Sequence, residues 1–143
     1  MSIVNFRVKK LSGERTEMEA RDIPNIDVSS NFLILSMKKE RDKRIGDYLL
    51  VNFRFNVRYK PELGNIDLDG YLWYTDPNLK EIVKEEGDKV ELQSDALREI
   101  SNAILRDSLL EAVDIARKLR LPVPVNLPKV TVKPKEVRFP KAA

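Results

Sequence analysis

Histidine and cysteine are both absent from this sequence of 143 residues, and its five glycines are scattered at 13, 46, 64, 70 and 87. Without cysteine there are no disulfides and no thiolate metal sites, which fits a reducing compartment and a cytoplasmic protein. Without histidine as well, the commonest general base, the commonest nucleophile and most transition-metal chemistry are gone, leaving carboxylates, lysines and hydroxyls. No glycine-rich fingerprint joins a strand to a helix, so nucleotide binding has no support. No apolar run approaches the roughly 18 residues of a membrane span. These absences point away from an enzyme: no catalytic residue, metal or cofactor is assigned.

What is present fits one domain, since a hydrophobic content of 42% over this length can bury a single core. Charge is unevenly placed. Residues 129–143 carry five basic side chains against one acidic, while the other 128 carry 21 basic and 22 acidic. We therefore expect a near-neutral domain over 1–128 and a basic C-terminal tail over 129–143, mobile and dispensable for folding because it has two prolines and no helical period.

The strand signal is strongest in YLLVNFRFNVRYK, where Leu49, Val51, Phe53, Phe55, Val57 and Tyr59 alternate with Asn52, Arg54, Asn56, Arg58 and Lys60. Ile3–Leu11 alternates similarly, Asn31–Met37 reads as another strand, and 65–75 returns after the turn at 61–64 with Ile66, Leu68, Leu72 and Tyr74 on its apolar side. The run KKERDKR, 38–44, reads as a charged hairpin loop. Asp76 and Pro77 suit the start of a short helix ending before Gly87, and Ser94 suits the cap of a long one over 95–119, roughly 37 Å if fully helical. The expected fold class is α+β: a four-stranded antiparallel β-meander followed by a short and a long α-helix.

Three features invite a functional reading. The apolar arc of the long helix covers about half its circumference, wider than one sheet needs, with the small residues Ser101, Ser108, Ala112 and Ala116 near its middle. Tyr71 and Trp73 fall on the outward face of their strand. Together these six are candidates for an oligomer interface, with packing on the chain's own sheet an equal alternative for the small residues. After the helix, LRLPVPVNLPKV forbids helical continuation at three prolines and puts Leu121, Val123, Val125 and Leu127 along one edge of an extended ribbon. Asp67 and Asp69 share a strand face, where solvated carboxylates are the simplest account and a cation site lacks a third ligand.

The stretches YLLVNFRFNVRYKPELGNIDLDGYLWYTD, REISNAILRDSLLEA and LPVPVNLPKV, in that order, resemble the third and fourth strands, the long helix and the following crossover of the SecB family of export chaperones. The resemblance implies a cytoplasmic, ATP-independent holdase for protein transport, with unfolded or non-native polypeptides as partners. It also implies a homotetramer, a dimer of dimers. Clients would lie in an apolar groove lined by Leu121, Val123, Val125, Leu127, Phe32 and Ile34, with sealing of the core beneath the long helix an equal alternative for the four residues of the strip. Asp67 and Asp69 match the acidic strand residues on which the family docks the SecA motor, whereas the neutral fold and basic tail argue against that partner. The alternative is a nucleic-acid or ribosome-associated binder using the tail and the 38–44 loop.

Overall fold

The computed structural model describes residues 2–17, 25–124 and 136–142. Four strands, β1 (Ser2–Arg15), β2 (Asp27–Asp42), β3 (Gly46–Lys60) and β4 (Gly64–Thr75), form an antiparallel sheet in the order β1-β4-β3-β2. The last three are a meander joined by tight turns, and β1 closes on β4 rather than on its sequence neighbour, a Greek-key connection. The alternation in β3 does what period two requires: Leu49, Val51, Phe53, Phe55, Val57 and Tyr59 are all buried, and the intervening residues line the opposite face. β2 is longer than its apolar centre suggests. KKERDKR is strand as far as Asp42, and the turn is confined to residues 43–45, where the Asp42 carboxylate accepts from the Arg44 amide at 2.7 Å.

The chain then forms one helical turn, α1 (Leu79–Ile82), and a hairpin of β5 (Val83–Glu86) and β6 (Lys89–Gln93), where the sequence suggested helix up to Gly87. Asp76 makes a side-chain turn onto the Asn78 amide, 2.8 Å, so the helix begins two residues later than the proline implied. Gly87, at φ +58°, supplies the left-handed residue of the hairpin turn. The long helix α2 (Ser94–Lys118) follows, and β7 (Glu136–Pro140) adds to β6 to complete a second, three-stranded sheet. The tail is thus docked over 136–142 rather than detached, while 129–135 lie outside the described residues. Among the described residues no helix is long and apolar enough to cross a membrane.

α2 lies across β1, β3 and β4 and also meets β6 and β7. Two sheets therefore share its wide apolar arc, which removes the reason for assigning part of that arc to another subunit. Ser101, Ser108, Ala112 and Ala116 are all buried within this chain, so the small-residue ridge seats the helix on its own core and is not an oligomer surface. Ser108 Oγ has no hydrogen-bond partner there, a cost tolerated for close approach. Gly13 matters for the same reason: a β-carbon at that position would stand 2.7 Å from Ile115 and 2.8 Å from Leu119.

The end of α2 sets the path of the proline strip. Leu121 N–H donates to Ala116 O at 2.8 Å and Arg120 N–H to Arg117 O at 3.2 Å, with Arg120 left-handed at φ +53°. This is a Schellman closure, in which the residue after the left-handed position packs back onto the last turn. Leu121 is that residue, and it is buried over Gly64, where a β-carbon would collide with Leu121 and the Glu14 carbonyl. From the end of β1, Arg15 donates to the exposed helix-end carbonyls of Leu119 (3.3 Å) and Arg120 (2.5 Å), placing a cation at the negative end of the helix. Tyr59 Oη then donates to Pro122 O at 2.6 Å and fixes the next residue over β3. Burial pushes the Tyr59 phenol up to about 12.

Arg120→Gly should raise stability by about 0.5–1 kcal/mol, because the left-handed position then costs a side chain nothing. Thermal melting reads this as an upward shift of roughly 2–4 °C. Tyr59→Phe should cost about 1–2 kcal/mol at neutral pH by leaving Pro122 O unpaired. The neutral phenol stabilises the folded state, and that stability is complete below pH 10 and lost as pH rises through about 12. Urea unfolding at pH 7 and pH 11 should therefore show the wild-type advantage over Tyr59→Phe shrinking at the higher pH.

Candidate functional site

The face of the large sheet under α2 is unevenly covered, because α2 packs on β1, β3 and β4 and leaves β2 at the margin. Four β2 residues point to this face, since each pairs with a core residue of β3: Val28 with Tyr59, Ser30 with Val57, Phe32 with Phe55 and Ile34 with Phe53. Their exposure falls along the strand. Val28 is 38% exposed, Phe32 is half-buried and Ile34 is 8% exposed, and Met37, beyond a bulge, is fully enclosed where Ala142 N–H donates to its carbonyl at 2.9 Å. β7 and residues 141–142 cover one end of the row, and Val28 at the other end is the most exposed of its apolar residues.

The proline strip arrives at the Val28 end. Pro122 is tied to Tyr59, the cross-strand partner of Val28, and the next residue, Val123, is 40% exposed. Val28 and Phe32 lie four residues apart on one strand, about 13 Å. An apolar row and an apolar ribbon thus meet at Tyr59, beside a strand edge that is last in the order β1-β4-β3-β2. The arrangement offers greasy side chains on the strand that ends the sheet among the described residues.

Of the six client-groove residues named from the sequence, Phe32 and Ile34 line this row, and Val123 is exposed next to the Pro122 that Tyr59 holds. Leu121 is instead the buried plug of the helix end, and its role is to hold the strip. Val125 and Leu127 lie outside the described residues. Val28 and Tyr59 escaped sequence reasoning, Val28 because it sits in a polar stretch and Tyr59 because its hydroxyl partner is 63 residues away. The signal for Val28 was its two-residue spacing from Ser30 and Phe32.

The opposite face of the sheet is divided. At one end, Trp73 stacks on Tyr48 with ring centroids 4.2 Å apart, and Tyr71 and Trp73 are both half-buried in the isolated chain. At the other, an open concavity of 580 Å³ is lined by Lys10, Arg54, Arg58, Asp67 and Asp69 among others. Here Arg54 donates to Asp69 and Arg58 to Asp67, each at 2.8 Å. Asp67 and Asp69 are therefore neutralised by their own strand neighbours, and the pair does not present an acidic patch. In the 38–44 stretch, Lys38 pairs with Glu40, Arg41 with Asp47 and Arg44 with Asp42. That self-pairing weakens the case for a phosphate-binding surface.

No protein-family model and no curated protein matches the sequence. Among solved structures the chain is similar to the SecB-like chaperone Rv1957 of Mycobacterium tuberculosis, determined in complex with a ChAD peptide from the Rv1956 HigA1 antitoxin. The match covers 93% of this chain and 91% of that one, with a TM-score of 0.56 and 11% sequence identity. Identity at that level speaks for architecture alone: this chain has a SecB-like α+β fold.

Proposed function

We propose that this protein is an ATP-independent chaperone that holds extended, non-native polypeptides along β2, between the Val28–Phe32 row and the proline strip. The observation that carries the reading is the partly exposed Val28–Phe32 stretch of β2, the last strand in the order of the large sheet among the described residues. An extended chain laid along that strand satisfies its backbone by strand addition and sets alternate side chains onto Val28, Phe32 and Val123. Selectivity would then be for apolar extended segments and not for a particular sequence. Proline suits the ribbon because a pre-set backbone loses little freedom when a client binds. The likeness to a peptide-bound chaperone supports the same reading. The protein acts by binding, without catalysis.

The implied homotetramer belongs with this proposal. Its support is now narrower than the sequence suggested: the aromatic end of the outer face at Tyr71 and Trp73, and Leu110, 66% exposed on the outward side of α2.

The double substitution Val28→Ser and Val123→Ser should separate groove from core. Both side chains are substantially exposed, so melting should move little, while each lost apolar contact weakens client binding by roughly 0.5–1 kcal/mol. Suppression of an unfolded client's aggregation should then need about five- to thirtyfold more protein. Unchanged suppression would place the clients elsewhere on the molecule.

A further inference from the structure

We infer that the edge of β6 is a second peptide seat, now filled by the chain's own β7, and that it takes extended peptides with an aromatic residue flanked by basic ones. The seat is built from three kinds of recognition. Backbone pairing runs residue by residue from Gln93 with Glu136 to Lys89 with Pro140, and Lys141 N–H continues it onto Asp88 O at 2.7 Å. Phe139 stands opposite the fully buried Val90 and packs half-buried against the core. Three carboxylates then read the basic residues: Glu85 meets Lys141 at 2.5 Å, and Glu86 and Glu91 meet Arg138 at 3.6 and 3.7 Å. The lysine contact holds the Glu85 carboxyl below its usual range. This is strand addition with a side-chain pocket and a charged rim, the grammar of linear-peptide recognition.

Apart from the backbone ladder and the Lys141–Glu85 pair, the described side chains of β7 hold it weakly. Arg138 is 62% exposed, so its ion pairs contribute little, and Phe139 is the one large described side chain it buries. As part of the same molecule β7 has a high effective concentration at the seat, and a competing chain with the same features can displace it. The position gives the displacement a use. Lys141 bridges Met37 of β2, at the covered end of the row whose other end is exposed at Val28. A client running along β2 from Val28 toward Met37 meets β7, and taking its place would extend the bound segment onto β6. The inference rests on the polypeptide-binding reading for the kind of ligand, and on β7 alone for the site.

The test uses the full chain and a fluorescein-labelled peptide EVRFPKAA, a copy of 136–143, followed by fluorescence polarisation. Wild type, already occupied, should bind it weakly. Lys141→Glu sets its own β7 against Glu85 and should bind the peptide at least tenfold more tightly. Adding Glu85→Lys restores the internal pair with reversed sign, and uptake of a matched peptide EVRFPEAA, whose glutamate suits the new lysine, should then stay at the weak wild-type level. Phe139→Ser is a second way to loosen β7 and should likewise raise uptake. If Lys141→Glu and Phe139→Ser unfold cooperatively yet bind no more peptide than wild type, the inference is overturned; it is equally overturned if neither variant folds, because β7 is then core. Peptide uptake without any suppression of client aggregation would sink the chaperone reading and leave the seat standing, and the converse would sink only the seat.

Discussion

A helix about 10 Å across cannot cover four strands spaced roughly 4.8 Å apart, and the rest of this molecule follows from that mismatch. α2 sits on β1, β3 and β4, where Gly13 and the buried small residues Ser101, Ser108, Ala112 and Ala116 let it approach closely. β2 is what remains. Its apolar side needs a second cover, and among the described residues β7, docked on the β5–β6 hairpin, supplies one at the Met37 end. The gradient of exposure from Met37 back to Val28 is the record of where that cover stops.

The proline strip is positioned by how α2 ends. A left-handed Arg120 turns the chain, Leu121 locks under it against Gly64, and Tyr59 catches the carbonyl of Pro122. Of the residues that follow the anchor Leu121, Val123 is exposed and Pro124 is buried. Local helix-capping chemistry thereby brings the start of the strip onto Tyr59, the cross-strand partner of Val28.

Much of this was legible beforehand. The odd-numbered residues of β3 and the apolar side of β4 announce a half-covered sheet, and the long helix and following prolines give the element order that resembles SecB. Long-range pairings were the hard part. That β1 joins β4 and that 136–140 completes the second sheet depend on partners distant in sequence, whereas the 83–93 hairpin is local and was missed because the stretch with Gly87 reads as a helix end. The small residues of α2 show the same limit in another form. Periodicity places them on one ridge but does not say which surface fills the groove, and the second sheet, itself illegible, is what absorbs the wide arc. Asp67 and Asp69 looked like free carboxylates because their arginines sit on the neighbouring strand, 9 and 15 residues earlier.

Amide hydrogen exchange of the full chain with and without a permanently unfolded client tests the partly exposed row most directly. The account predicts new protection at the backbone amides of β2 between Asp27 and Ser36, with α2 unchanged. Protection confined to the outer-face strand segments around Tyr71 and Trp73, with β2 exchanging as in the free protein, would contradict it.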